Sequence, residues 1–337
     1  MRLTILSRSP SIYTTRRMVE AARERGVAAR VVDPMQVELG LGEEPAVYWR
    51  RRRFPRADVV VPRIGHSIHQ YGLAVVNQLE LMGIPVLNGA YGIAASRNKM
   101  RSLQLLAAAG VRVPRTVMAS DPSRLRDMAK LVGGVPVLVK LLSANERSGV
   151  MICESLQSLE AALEAILGLG QNIVVQQYLR GAKGRDLRVL VVGGEVVAAM
   201  RRSPPVGRFS RDLRRGAQFE KADLPAAYAE AAVAAARVLR LEVCAVDMLD
   251  VKGRPRVFEV NSSPSIREAE AACGVDAAAR IVDRAIALAE AKLGGLAPSG
   301  ASPSGRRNPS AGPLARRHRV PRSSSRSGRP SARVLGV

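Results

Sequence analysis

Hydrophobic and polar positions along the chain switch between two periods. Short apolar runs at residues 2–6, 28–32, 58–65 and 84–87 read as buried strands, the third running into a turn at Gly65. Between them, helical spacing predicts helices from Tyr13 to about Arg25 and from Tyr71 to Met82. Gly26 directly follows the first and is expected to cap it. Strands alternating with helices predict a small parallel α/β lobe. Such lobes bind ligands beyond the strand C-termini, which puts Ser7, Arg8, Arg63 and Gly65 at a crevice. No Gly-x-Gly-x-x-Gly follows the first strand, so a nucleotide is not expected on this lobe. Arg50–Arg53 read as a solvated loop.

Farther on, Ser96-Arg-Asn-Lys99 opens a helix carrying Met100, Leu103 and Leu106. Strands are expected at 136–142, 150–153 and 172–179, with a helix over Leu156–Leu167. A hairpin over 186–200 turns at Gly193-Gly194, and a basic, Pro-containing loop follows at 201–216. An Ala-rich helix at 225–240 precedes a second hairpin at 243–264, and the last helix runs over about 275–293.

The second hairpin carries the chemistry. Its apolar runs flank Lys252-Gly253-Arg254, so folding about Gly253 sets Asp247 opposite Glu259, with Asn261 on the same face as Glu259. Two unit charges at ~4 Å repel by roughly 4 kcal/mol at an effective dielectric of ~20, so a cation is expected between them. Two carboxylates and an amide oxygen suit Mg²⁺; the alternative is a surface hairpin neutralised by Lys252, Arg254 or Arg256. Lys140 interrupts an apolar strand, a costly position unless paired, and a phosphate is the favoured partner. Lys99 sits in the first turns of its helix, where a cation opposes the dipole unless an anion is near or the side chain is exposed. Asp186 and Arg188 share a strand face and could pair with each other.

Composition narrows the function classes. The 337 residues, 47% of them hydrophobic, exceed one average domain. The net charge of +23 suggests nucleic acid, but nine of the arginines lie in a Pro/Ser/Gly-rich stretch after residue 297 that has no acid, leaving +14 for the body. That tail is expected to be disordered, either contacting RNA or ribosomes through phosphates or merely solubilising the chain. Aromatics at 3% argue against base stacking as the main activity. Cys153, Cys244 and Cys273 show no ligand spacing and read as reduced thiols, and His66, His69 and His318 form no metal cluster. No signal peptide or long apolar run appears, so a cytoplasmic protein with no membrane contact is expected.

Several segments carry a resemblance. Ile-Leu-Ser-Arg at 5–8, Val-Pro-Arg-Ile-Gly at 61–65, Arg-Ser-Leu-Gln-Leu-Leu at 101–106, Val-Val-Gly-Gly-Glu-Val-Val-Ala-Ala at 191–199 and the Asp…Glu-Val-Asn of the hairpin are similar to RimK-type ligases. The resemblance spans roughly residues 1–292. It implies the α/β ATP-grasp fold, with α+β lobes behind an N-terminal parallel α/β pre-ATP-grasp domain at 1–92. The small lobe and hinge would occupy 93–180, the large lobe 181–294, and the tail 295–337.

The resemblance also implies ATP between two lobes, with Lys99 and Lys140 on its phosphates. Gln176, Gln177, Tyr178 and Leu179 would form the adenine-binding hinge strand, and Asp186 and Arg188 would border the nucleotide and acceptor cleft. Arg202 and Arg215 would face the transferring phosphoryl group or the acyl phosphate. Asp247, Glu259 and Asn261 match the family's Mg²⁺ ligands, which also accept Mn²⁺. The implied reaction joins an amino acid, glutamate in the family, to a carboxylate acceptor such as a ribosomal protein C-terminus, and a homo-oligomer is expected. The alternative is a catalytically weak homologue that senses nucleotide or binds RNA through its tail. The chain departs from the family at Asn145-Glu-Arg-Ser-Gly149, where a glycine-rich loop is usual, and at Gln177, where an acid is usual.

Overall fold

The computed structural model describes residues 1–119, 124–141, 150–167, 173–179, 186–203 and 218–294. The N-terminal lobe begins with β1 (Arg2–Leu6), α1 (Tyr13–Glu24) and β2 (Ala28–Val32). Gly26 takes φ +67° after α1, the expected left-handed stop. β3 (Val37–Gly40), β4 (Ala46–Trp49) and β5 (Arg52–Arg53) then form a small antiparallel sheet, followed by β6 (Val59–Pro62) and α2 (His69–Leu81). β2, β1 and β6 run parallel in that order, and Val86 bridges to Val60. Arg50–Arg53 are exposed as expected but are not a loop: Arg50 and Arg51 turn a hairpin at positive φ, and Arg52 and Arg53 pair with β4. The helix expected from residue 96 is two, α3 (Ala90–Arg97) and α4 (Lys99–Ala108). The break falls at Asn98, whose side chain accepts from the Arg101 N–H and caps α4.

A second lobe holds β7 (Thr116–Ala119), α5 (Leu125–Leu131), β8 (Val137–Leu141), β9 (Val150–Cys153), α6 (Leu156–Leu167) and β10 (Ile173–Gln177). Its antiparallel sheet, ordered β7-β10-β8-β9, packs on α5 and α6 around a core of its own.

The third lobe is a five-stranded antiparallel sheet. Its elements are β11 (Asp186–Val192), β12 (Glu195–Ser203), β13 (Gln218–Lys221), α7 (Ala226–Val238), β14 (Val243–Val251), β15 (Arg254–Asn261), α8 (Arg267–Cys273) and α9 (Ala277–Gly294). The strand order is β13-β12-β11-β14-β15. The last helix expected over about 275–293 is α9, and α8, which the sequence reading did not include, precedes it and ends where Gly274 takes φ +66°.

The period of two divides the faces of this sheet. Leu187, Val189 and Val191 of β11 and Cys244, Val246 and Met248 of β14 pack on Ala232, Ala235 and Ala236 of α7, whose short side chains allow close approach. On the other face Leu190, Val192, Met200 and Val243 join Ile281, Val282 and Ala285 of α9 in a core shared with Leu3, Ile5, Met18 and Val59 of the N-terminal lobe. Farther along that same face the apolar residues give way to Asp186 and Arg188 of β11, Arg202 of β12, Asp247 of β14 and Glu259 of β15. Half of one sheet face is thus a core and the other half a charged site.

Cys153 and Cys244 are buried, and all three cysteines are free. Burial pushes the Cys244 thiol up to about 12. Native protein is therefore expected to leave Cys244 unmodified by iodoacetamide at mildly alkaline pH, while denatured protein is alkylated there. Equal alkylation in both states, read by peptide mass mapping, would contradict this burial. Among the described residues no helix is long and apolar enough to cross a membrane. The tail from residue 295, expected above to be disordered, lies outside the described residues.

Candidate active site

The hairpin β14–β15 turns on two residues, Lys252 at φ +53° and Gly253 at φ +73°, so Val251 pairs with Arg254. An unbroken ladder from that turn would set Asp247 opposite Phe258 and carry Glu259 to the other face. Instead the register slips by one between Met248 and Asp247, with Phe258 as the extra residue. Asp247 consequently faces Glu259, and Ala245 faces Asn261. The pairing matches the expectation from sequence, but its cause is a tight turn plus a bulge rather than equal spacing about Gly253.

Asp247 is 2% exposed and accepts two hydrogen bonds from Arg188, Nε to Oδ1 and Nη2 to Oδ2, each 2.7 Å. Arg188 lies directly across the ladder from it. Asp186 and Arg188 do not pair with each other, contrary to the sequence reading. Asp186 lies opposite Arg202 on β12 and accepts from its Nη2 at 2.6 Å, while Arg202 Nη1 is 3.9 Å from Asp247. Cross-strand neighbours stand closer than same-strand residues two apart, so each charge takes its partner from the next strand. Burial by itself would lower the Arg188 pKa, but Asp247, backed by Glu259 and Glu268, holds it above the ordinary arginine value. Burial raises the Asp186 pKa against the opposing pull of Arg202. Arg202 Nε is buried and donates no hydrogen bond among the described residues.

Lys99 opens α4 and lines a pocket with Glu259 and Asn261, together with His66, Ser96, Arg97 and Ser262. Lys140 comes from the other lobe, with its Nζ 5.8 Å from the Phe258 ring centroid. The two lysines therefore approach the bulge from different lobes. Gln176 and Gln177 belong to β10, and Tyr178 and Leu179 follow it. The Gln176 side chain is not directed to a ligand: it is 1% exposed and donates to Thr116 Oγ1 on β7. Arg215 and the loop at 143–149 lie outside the described residues. Sequence reasoning missed Arg97, Phe258 and Ser262 here, and also Asn88, which ties the site to the N-terminal lobe.

The donor set fits a hard divalent cation. Asp247 and Glu259 supply carboxylate oxygens and Asn261 an amide oxygen, the chemistry Mg²⁺ accepts. A carboxylate oxygen has two acceptor sites, and the Arg188 fork takes one on each Asp247 oxygen. Asn261 Oδ1 accepts from the Ser263 N–H at 2.9 Å and retains a lone pair. Among the described residues no group of three or more His, Cys, Asp and Glu side chains is arranged to hold a metal.

Residues 1–93 match the model of the RimK PreATP-grasp domain and residues 96–285 that of the RimK-like ATP-grasp domain. A probable alpha-L-glutamate ligase of Teredinibacter turnerae is 43% identical over 284 residues, covering 84% of this chain and 94% of the relative. The ATP-grasp ligase PsnB, complexed with a phosphomimetic variant of a minimal precursor, Mg and ADP, superposes with a TM-score of 0.66 at 23% identity, covering 85% of this chain and 98% of PsnB. A RimK domain ATP-grasp protein of Sphaerobacter thermophilus gives 0.67 at 22%, covering 85% and 100%. At such identities these structures speak to the fold alone, and both share it. A sequence relationship over 84% of the chain and the two domain matches place this chain in the RimK-like ATP-grasp family of ATP-dependent ligases that form C–N bonds.

Proposed function

We propose that the protein is an ATP- and Mg²⁺-dependent carboxylate–amine ligase that adds L-glutamate to the C-terminal carboxylate of a protein, such as a ribosomal protein, or to a small-molecule carboxylate. The observation that carries this reading is the Asp247–Glu259 pair, held face to face by the bulge with Asn261 beside it and Lys99 in the same pocket. The glutamate is supported by the name of the relative from Teredinibacter turnerae.

The acceptor carboxylate attacks the γ-phosphorus of ATP, releasing ADP and forming an acyl phosphate. The amine of glutamate then attacks the acyl carbon, expels phosphate and forms the amide. Two anions must meet in the first step, and Lys99, Lys140 and Arg202 bring positive charge to them. Arg188 holds the Asp247 carboxylate in place through two hydrogen bonds. Asp247, Glu259 and Asn261 would hold Mg²⁺ or Mn²⁺, which would supply further neutralisation of the phosphate charge. Gln176 to Leu179 offer backbone groups to adenine, and Arg215 is assigned to the transferring phosphoryl group from the family resemblance. No side-chain nucleophile is required.

Incubation with ATP, Mg²⁺, glutamate and cell extract is expected to release ADP and add a glutamyl mass increment to an acceptor. Glu259→Gln, which preserves shape but removes one anionic donor, is expected to lower that release by on the order of 10² or more. Unchanged release by this variant would remove Glu259 from the site. A chain lacking residues 297–337 is expected to ligate normally, whereas loss of ligation on truncation would assign the tail a catalytic part.

A further inference from the structure

Away from the charged site, the hairpin of β4 and β5 gathers positive charge that the ligase mechanism does not use. Arg50, Arg51, Arg52, Arg53 and Arg56 fall within seven residues, and all five are exposed. Among the described residues none of them forms an ion pair. Asp58, the next acid along the chain, is committed to Arg2 at 2.7 Å. Glu43 and Glu44 lie in the connection between β3 and β4, at the opposite end of the small sheet, and Glu38 lies on β3, two strands from Arg53. Water and salt screen the mutual repulsion of such a group, and an incoming polyanion relieves it while shedding its own counterions.

The turn carries side chains that its backbone disfavours. Trp49 pairs with Arg52, so the two strands join through Arg50 and Arg51 alone, and both take left-handed φ, +51° and +62°. Such positions favour Asn and Gly, because a Cβ crowds the backbone there. Two arginines in their place point to a use for the side chains. The turn is also fixed from below. The Arg50 guanidinium stacks 4.8 Å from the Trp49 ring centroid, and its Nε donates to Gln36 Oε1 at 3.1 Å. Trp49 in turn packs against the core of the N-terminal lobe. Arg50 thereby anchors the hairpin, and the other four arginines stay turned to solvent.

Their directions narrow the kind of anion. A period of two along β5 sends Arg52 to the face of Trp49 and Arg53 to the face of Tyr48, with Arg51 at the tip. Cations project from both sides of a narrow ribbon. This arrangement suits a groove between two rows of phosphates, whereas an extended acidic peptide presents a single row. Gln36 comes four residues after the end of β2, so the ribbon stands at the C-terminal end of the parallel sheet. That is also the end where the Arg63 guanidinium donates to the Pro264 carbonyl, three residues beyond Asn261.

From these features we infer that the β4–β5 hairpin is a docking element for the phosphate backbone of a nucleic-acid helix, with Arg51, Arg52, Arg53 and Arg56 on phosphates and Arg50 holding the turn. The contact reads backbone and not bases, as befits guanidiniums without a free aromatic ring beside them. It does not depend on the ligase reading. RNA and DNA offer the same phosphodiester chemistry, so the test separates them.

The test is fluorescence anisotropy of the full chain with short labelled duplexes of RNA and of DNA, of one sequence, over a range of KCl. Each phosphate contact contributes about 0.9 to the slope of log affinity against log salt, so Arg51→Gln/Arg52→Gln/Arg53→Gln is expected to flatten that slope by about 2–3. The same three positions changed to lysine should retain most of it. Arg316→Gln/Arg317→Gln/Arg319→Gln, which removes equal charge from the tail, should flatten it less. Arg51→Gly, which suits the left-handed backbone, should melt no lower than wild type while flattening the slope by about 1, and this separates loss of contact from loss of fold. Binding of either duplex in this pattern supports the docking element, and the tighter of the two names its source. An unchanged slope in the hairpin triple variant overturns it, as does equal flattening by the tail variant, which would mark net charge alone. Poly-L-glutamate binding that depends more strongly on the hairpin than duplex binding does would assign an acidic peptide instead and overturn it too. So would a wild-type chain that binds neither duplex.

Discussion

Asp247→Ala is expected to abolish ATP-dependent ligation and to weaken the fold at the same time. The carboxylate is buried, is one of the three proposed metal donors, and receives both forks of Arg188. Charge stabilisation at a phosphoryl centre contributes several kcal/mol, so loss of this donor should lower ADP release by on the order of 10³ or more. Its removal also leaves the Arg188 guanidinium buried without its counter-charge, which costs about 3–5 kcal/mol of stability. A double variant separates the two effects. Arg188→Leu in the Asp247→Ala background should recover much of the denaturant midpoint, because no orphaned charge remains, and should recover none of the activity. Wild-type ADP release by Asp247→Ala would sink the assignment of this residue, whatever the stability.

Asn88→Ala should produce the largest loss of stability among changes remote from the charged face. Asn88 is 2% exposed and uses its amide in full. Nδ2 donates to the carbonyls of Val243, at 2.7 Å, and Ser262, at 2.9 Å. Oδ1 accepts from the N–H groups of Glu242 and Val243, both at 2.8 Å. One side chain therefore joins the N-terminal lobe to the start of β14 and to the residue after Asn261. Truncation orphans four backbone groups in a buried place, for a combined cost on the order of 3–5 kcal/mol. Asn88→Asp keeps the two acceptor contacts but sets a carboxylate oxygen against two carbonyls, so it should rescue little. A midpoint within about 1 kcal/mol of wild type for either variant would show that the junction is held by other contacts. Because Ser262 adjoins Asn261, Mn²⁺ affinity of the surviving folded fraction, followed by its paramagnetic relaxation, should fall as well.

These residues differ in how far the sequence exposes them. The trio Asp247, Glu259 and Asn261 was legible because acids placed in two facing apolar strands are unusual, and a period of two assigns their face. Lys140 stood out for the same reason, as a charge inside an apolar strand. Asn88 gave no comparable signal. A polar residue after a strand is ordinary, and its partners lie more than 150 residues away. Arg63 was legible at the crevice beyond the parallel strands, whereas Arg97 looked like one of many arginines in a chain with 52 Lys and Arg residues. Their proximity depends on how α3 meets the turn after β6. The pairing of Asp186 and Arg188 was misread for a related reason: spacing along a strand reports a shared face, whereas partner choice depends on the strand lying alongside.

The sequence by itself determined most of the elements, because apolar periodicity and turn residues are local properties, and its quoted motif segments carried the resemblance that implied the ATP-grasp fold and the family. It also determined which residue types stand near the chemistry. Only the tertiary structure decided the register of the site. A two-residue turn at Lys252-Gly253 would by itself carry Glu259 to the wrong face of the sheet, and the bulge at Phe258 returns it. The tertiary structure likewise decided which opposite charge each ion takes and which cations gather beside Ser262. Those outcomes follow from the packing of distant strands, and no spacing along one strand encodes them.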